Sequence, residues 1–408
     1  MEKNNLLVSF LGLGRTGKGY EQIKYYLNSP EEYIETKFVV VALCKFFKIN
    51  QLILFTTKSV EQGSSNVLDE LKDTLVKNNI TLIETKIIPE GKNTEELKDI
   101  FKNVLEVLEK YKNDNLYLDI THGFRSLPLI FFTSIIYLKN IYDINIIKIC
   151  YGALDAGNKE ENIAPIFDLS YLLELIEWST GVNLFVNRYD SFFIDKIIKR
   201  KKSETSKSLL NLKKELKDFS KQFSNVQIIE IPQRANQIIN FTEEFKEELF
   251  QNTPHIIPLI DKIKDEVKEL TLENSNELDI NQLKFQIKLI KKYLEKNLIL
   301  QAIILDREFI VSLVIFKIKK TQDWRNYKFR ENISHCLNSF NSSSMQDYEE
   351  ICNEIRRVKD IEKIKFYLDK IKNIRNNFVH AGMGGQDNSF DSLSNHMKQI
   401  TEQLEKLI

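Results

Sequence analysis

The sequence predicts an α/β N-terminal domain built on a mostly parallel, Rossmann-like sheet, followed by an all-α helical region. Three observations carry this. Up to about residue 170, short apolar runs alternate with amphipathic segments, the pattern of a parallel sheet covered on both faces. After "DLSYLLELIEWSTG" the strand-like runs fade. Beyond that point apolar residues recur at helical spacing.

The elements follow in order. "LLVSFLGLG" reads as a first strand, and "KFVVVALCKFF" and "QLILFTT" as further strands. "VLDELKDTLVKNN" is an amphipathic helix and "ITLIETKIIP" another strand. "NTEELKDIFKNVLEVLEKY" is a helix with Asn93 or Thr94 as its N-cap and Glu95 and Glu96 in its first turn. Strand "NLYLDI", helix "SLPLIFFTSIIYLKN" and strand "INIIKICYGAL" complete the domain. From about residue 185 to 280 the chain is helical and highly charged, with Leu209, Leu212, Leu216, Phe219 and Phe223 marking one packing face. In the closing helical region, "LILQAIILDREFIVSLVIFKIKK" is apolar almost all round, which places it at the centre of a bundle. Its polar trio Asp306, Arg307 and Glu308 reads as an internal hydrogen-bond or ion-pair feature. The boundaries are therefore 1–178 for the sheet domain, 179–280 for a helical linker or insertion, and 281–408 for the closing bundle.

The 408 residues are 42% hydrophobic and 28% charged, enough for several cores. Basic and acidic residues balance at 58 each, so no global field attracts duplex DNA and any nucleic-acid contact must be local. The four cysteines show no C-x-x-C spacing. Neither a zinc site nor a disulfide framework is indicated, which fits a reducing cytosol. No apolar run approaches the roughly 18 residues of a membrane span, and the N-terminus lacks a secretory pattern. A cytoplasmic protein without membrane contact is expected.

Three motifs carry chemistry. "GLGRTG" (Gly12–Gly17) matches G-x-G-x-x-G directly after a strand. A nicotinamide site also needs an acid at the end of the second strand, and the segment read as that strand ends "VVVALCKFF", with a lysine there. What survives is either a tight turn or a glycine loop (Gly12, Gly14) that brings backbone to an anionic ligand, with Arg15 to pair with phosphate. "DITHGFRSLP" occupies the equivalent place later in the sheet. Thr121 and His122 offer hydrogen bonds, Gly123 frees the backbone, and Arg125 presents a planar cationic fork. Asp119 and Thr121 can alternatively cap the next helix, with His122 a satisfied rim histidine. Two such loops on one rim favour a ligand site. "YGALDAG" after the fifth strand either lines the same rim or is a turn.

"IRNNFVHAG" is the third motif. Arg375 and His380 are five apart, about 7.5 Å of rise and roughly 140° of rotation on a helix. They do not share a face, whereas Asn376 and His380 do. Histidine can shuttle the proton of an attacking 2′-hydroxyl or a leaving oxygen, and arginine can stabilise the extra phosphoryl charge. Such a pair needs no metal. The alternative is a helix-end histidine beside the capping Gly382.

With "SFLGLG" in the first loop, "YGAL" after the fifth strand and "IRNNFVHAG" near the end, "LDITHGFRSLP" resembles the D-x-T-H-G signature of the CARF–HEPN ribonucleases of type III CRISPR systems. The resemblance implies that CARF domains of a homodimer bind a cyclic oligoadenylate, with the tetra-adenylate ring favoured and the hexa-adenylate ring next. It also implies that HEPN domains form a composite site that cuts single-stranded RNA to 2′,3′-cyclic phosphate products. Carried over by motif, Gly12, Gly14, Thr121, His122, Gly123 and Arg125 fall to the ligand, with Arg15 and Thr16 where the first loop varies. Arg375 and His380 fall to catalysis, with Asn376 orienting. Degradation of the messenger by its own sensor is compatible with this. Two rival readings are a transcriptional regulator driven by the same sensor rim and a nicotinamide-dependent enzyme.

Overall fold

The computed structural model describes residues 3–14, 19–62, 66–122, 126–142, 144–200, 206–244, 246–247, 254–338, 349–379 and 390–408. Packing divides the chain into two units, Met1–Glu174 and Leu175–Ile408.

The first unit runs β1 (Asn5–Phe10), β2 (Ile23–Tyr26), β3 (Tyr33–Thr36), α1 (Val39–Phe47), β4 (Gln51–Thr57), α2 (Lys58–Glu61), α3 (Val67–Lys77), β5 (Thr81–Ile88), α4 (Thr94–Lys110), β6 (Asn115–Asp119), α5 (Ser126–Tyr142), β7 (Asn145–Gly152) and β8 (Ile163–Asp168). The strands form one sheet in the order β3-β2-β8-β7-β6-β1-β4-β5. β5, β4, β1, β6 and β7 are mutually parallel, β8 returns antiparallel to β7, and β3 is antiparallel to β2. Alternation along the central strands feeds two cores. Leu7, Leu52 and Leu54 meet α1 and α3 on one face. Leu6, Val8, Ile53 and Phe55 meet α4 and α5 on the other. Asn93 is the N-cap of α4, its side chain accepting from Glu96 N at 2.9 Å.

"KFVVVALCKFF" is not a strand. Val39–Phe47 is helix α1, ending at Lys48 in the left-handed region (φ 54°). Its six residues Val39–Cys44 are all buried, and such a run reads alike as a buried strand or a buried helix, because burial on every side erases the period. Tertiary packing decides between the two. The strand beside β1 is β4, ending in Thr56 and Thr57. The glycine loop after β1 leads into the β2–β3 hairpin rather than opening a helix, so the dinucleotide fingerprint lacks its helix as well as its acid.

The second unit is helical: α6 (Tyr171–Arg188, beginning in the first unit), α7 (Phe192–Arg200), α8 (Lys207–Ser224), α9 (Glu230–Glu244), α10 (Ile257–Lys268), α11 (Ile280–Glu295), α12 (Ile299–Lys317), α13 (Tyr327–Asn338), α14 (Glu349–Arg356), α15 (Ile361–Val379) and α16 (Phe390–Glu405). A single core extends from Trp178 to Leu407 and takes in Leu209, Leu212, Leu216, Phe219 and Phe223 of α8. Residues 179–280 thus share the hydrophobic core of the closing helices. Contrary to the spacing argument, Cys336 and Cys352 form a disulfide with Cα atoms 5.3 Å apart, linking α13 to α14. Both thiol positions are buried where these helices meet, a proximity that separation in sequence does not reveal. Cys44 and Cys150 are free and buried.

α12 is the central helix, and its polar trio splits in two. Glu308 pairs with Arg330 (2.8 Å), whose guanidinium also donates to the Glu308 and Trp324 carbonyls. Asp306 is fully buried beside Thr401, at 3.3 Å, and its other carboxyl oxygen has no partner among the described residues. Burial pushes this carboxyl well above the usual carboxylate range. Thr401 Oγ1 donates its single proton to Met397 O at 2.8 Å, which leaves it as acceptor for a protonated Asp306. An acid whose pKa is raised by folding holds its proton only in the native state across the intervening window. Stability is therefore lost as pH rises from about 4 through that window. Asp306→Asn keeps a donor toward Thr401 and removes the titration. Its melting temperature, relative to wild type, should rise by several degrees between pH 5 and pH 8, and a pH-independent offset would contradict this account.

Candidate functional site

The carboxyl ends of β1, β4 and β6 open onto a cavity of about 950 Å³, lined among others by Gly12, Gly14, Tyr20, Thr56, Thr121 and His122. Outward placement at strand ends is where open α/β sheets take ligands. Its volume is that of a site for a large organic ligand.

Asp119 builds the rim. It is fully buried; its Oδ2 accepts from Ser9 Oγ at 2.6 Å, and its Oδ1 accepts from Thr121 N at 2.9 Å and from the Thr121 hydroxyl. The Thr121 oxygen in turn accepts from Gly152 N at 2.7 Å. One carboxylate therefore ties together the ends of β1, β6 and β7. A Cβ at Gly152 would lie 3.0 Å from Val39 Cγ2 and 3.2 Å from Thr121 Oγ1, so this clasp requires glycine's close approach. Asp119 closes a turn over the two residues that follow it.

The clasp sets His122, which follows Thr121, against the edge of Tyr20, ring centroids 5.0 Å apart. Tyr20 donates to Gly12 O at 3.1 Å, and burial raises its phenol well above the usual range. Burial holds the His122 imidazole below the usual histidine range against an opposing pull from Asp119. A neutral ring has one donor and one acceptor nitrogen. Its Nε2 is buried and has no hydrogen-bond partner among the described residues, an unmet capacity on the cavity wall. At Gly14 the backbone is left-handed (φ 76°) and a Cβ would sit 2.7 Å from Gly19 O, so no other residue fits that turn.

Of the residues expected at the ligand, Gly12, Gly14, Thr121 and His122 come together on this cavity. Thr121 spends its hydroxyl on the clasp. Arg15, Thr16, Gly123 and Arg125 lie outside the described residues. In the second unit, Arg375 and Asn376 are exposed in the last turns of α15, and His380 lies outside the described residues. "YGALDAG" does reach the rim: Gly152 is held by Thr121, and Leu154 lines the cavity. Tyr20, the tyrosine that follows "SFLGLG", lines it too, whereas sequence reasoning gave no role to Thr56, Ser59 and Glu90, which also do. The signal for the last three was present: "TTKS" breaks the apolar run "LILF", and the rim rule applies to β4 and β5 as much as to β1 and β6. Among the described residues no cluster of histidine, cysteine and carboxylate side chains suits a metal ion, and no helix is long and apolar enough to cross a membrane.

A sheet of this order with a clasped D-x-T-H turn over a strand-end cavity defines an α/β domain with a ligand-sized site at its rim. Residues 6–158 match the family model described as the CARF domain of the CRISPR system endoribonuclease Csx1. The CRISPR-associated protein MJ1674 of Methanocaldococcus jannaschii is 22% identical over an alignment of 435 positions, covering 95% of this chain. The chain spans 63% of that relative's length. The solved structure of Enterococcus italicus Csm6 bound to cyclic hexa-2′-fluoro-hexa-dAMP superposes with a TM-score of 0.49 at 13% identity, over 99% of this chain and 100% of that one. Residues 6–158 are thus similar to the CARF domain of CRISPR-associated proteins.

Proposed function

We propose that this protein is a cyclic-oligoadenylate-activated endoribonuclease that cuts single-stranded RNA without a metal ion, as part of type III CRISPR antiviral defence. The observation that carries the reading is the D-x-T-H turn on the wall of a cavity of about 950 Å³ within the matched CARF domain. His122, whose Nε2 has no hydrogen-bond partner among the described residues, lies on that wall. Lys159, exposed on the cavity wall, has no ion-pair partner among the described residues and suits a phosphate. A ring of repeated nucleotides has rotational symmetry, so it engages the same loops from two copies of the chain.

The second unit carries the output, with a HEPN-like composite centre at its own dimer interface. His380 acts as acid and base, Arg375 stabilises the phosphorane-like charge, and Asn376 orients the pair. Exposure of Arg375 and Asn376 leaves both available to a facing helix from the second copy. The products are a 2′,3′-cyclic phosphate and a 5′-hydroxyl, since the 2′-hydroxyl is the nucleophile. Activation is allosteric: the ring must bind the active dimer more tightly than the inactive one.

The test is a fluorogenic single-stranded RNA incubated with the protein in EDTA, each cyclic oligoadenylate being added in turn. Cleavage should rise by at least tenfold with one ring size, the tetra-adenylate first and the hexa-adenylate second. Cleavage unaffected by any ring, or abolished by EDTA and restored by a divalent cation, would overturn the reading.

A further inference from the structure

Among the described residues four charged side chains line the cavity, Glu21, Glu90, Lys159 and the Glu70-paired Lys37, and of these Glu90 is the one fixed by hydrogen bonds that hold its carboxylate in place. Glu90 lies just past β5 and lines the cavity. Its Oε1 accepts from Ser59 N at 3.0 Å and from Ser59 Oγ at 2.5 Å, and the Thr57 hydroxyl donates to it as well. These donors outweigh burial and hold the carboxyl below the usual range. Glu90 is thus a fixed anion and a pure acceptor at neutral pH. Thr56, which lines the same cavity from the end of β4, is 1% exposed, and its hydroxyl has no partner among the described residues. Lys159, Asn158 and Asn162 belong to a different part of the wall, around the start of β8.

A phosphate placed against Glu90 meets a like charge that three hydrogen bonds keep ionised. An N–H or O–H donor placed there meets a preorganised acceptor, in a cavity also lined by the Thr56 hydroxyl that has no partner among the described residues. We propose that Glu90 and Thr56 form the subsite that takes the uncharged, hydrogen-bond-donating part of the ligand, a base amine or a ribose hydroxyl, and leave the phosphates to the Lys159 side. This rests on the cavity's being the cyclic oligoadenylate site. Glu90 is then the residue that selects among nucleotides, because a site built to receive a donor rejects an analogue that lacks it.

Calorimetric binding of four rings to wild type, Glu90→Gln and Thr56→Val tests this: cyclic tetra- and hexa-adenylate, and for the size that binds, its inosine-substituted and 2′-deoxy analogues. Glu90→Gln keeps an acceptor oxygen for the Ser59 donors, and thermal melting checks that both variants fold. Wild type should prefer the adenylate by at least tenfold over one analogue: the inosine ring if the amine is received, the 2′-deoxy ring if the hydroxyl is. Glu90→Gln should shrink that preference by tenfold or more, and Thr56→Val should weaken adenylate binding severalfold. Equal or tighter binding of every ring by Glu90→Gln overturns the subsite alone, since a carboxylate facing phosphate is relieved by neutralisation. Failure of wild type to bind any ring overturns the ligand reading itself, and the subsite with it.

Discussion

Replacing His380 by alanine is expected to cut ring-stimulated RNA cleavage by about 10²–10⁴-fold, the usual worth of a positioned acid–base group, while ring affinity stays at the wild-type value. Histidine alone has an unperturbed pKa that lets one side chain both accept and return a proton near neutrality. Arg375→Ala should cost about 10²–10³-fold, because charge builds on the phosphoryl oxygens only in the transition state. Arg375→Lys should recover little of this, since an ammonium lacks the planar fork that holds two oxygens. The double variant should be little worse than either single one, as groups that act as a unit are not additive. Single-turnover cleavage and calorimetric ring affinity, measured on the same preparations, decide the matter. Undiminished cleavage in His380→Ala removes the centre from α15, and a parallel loss of ring affinity would mean that the two sites are not separate.

What could be read from the sequence follows from how local its cause is. "NLYLDITH" announces its role because a parallel strand, buried on both faces, has no room for Asp119, Thr121 and His122 except at its carboxyl end, where the cavity lies. α4 was equally readable, with its cap at Asn93 and carboxylates in its first turn. α1 was not, since six consecutive buried residues leave no face to detect. β2 and β8 pair across more than 130 residues of sequence, Tyr25 against Ala164, and "IKYY" buries only Tyr25. No local pattern records such a partner. The rim rule points to Glu90 at the end of β5, but not to the Ser59 and Thr57 hydroxyls that hold its carboxylate, which the pairing of β4 with β5 brings to it.

Asp119→Ala should destabilise the sheet unit by about 3–5 kcal/mol, the sum of several buried donors left unsatisfied, and should abolish the response to any ring. The carboxylate accepts from Ser9, from Thr121 N and from the Thr121 hydroxyl, with no access to water. Alanine strands those donors in a dry site, at about 1–3 kcal/mol for each one left unsatisfied. An asparagine side chain in the same place would retain one acceptor oxygen and turn its amide toward the other donor, so Asp119→Asn should fall between wild type and Asp119→Ala. The two units have separate cores, and both tryptophans, Trp178 and Trp324, are buried in the helical one. Tryptophan fluorescence in urea should therefore keep its midpoint, while amide exchange along β1, β6 and β7 accelerates to the rate of global opening of the sheet. Thr121→Val separates the two roles of the clasp. It leaves Asp119 two of its donors but takes the acceptor from Gly152 N, so the sheet should lose about 1–3 kcal/mol and the turn that carries His122 should slacken. Sheet amides as protected in Asp119→Ala as in wild type would mean that the rim is held by something other than this carboxylate.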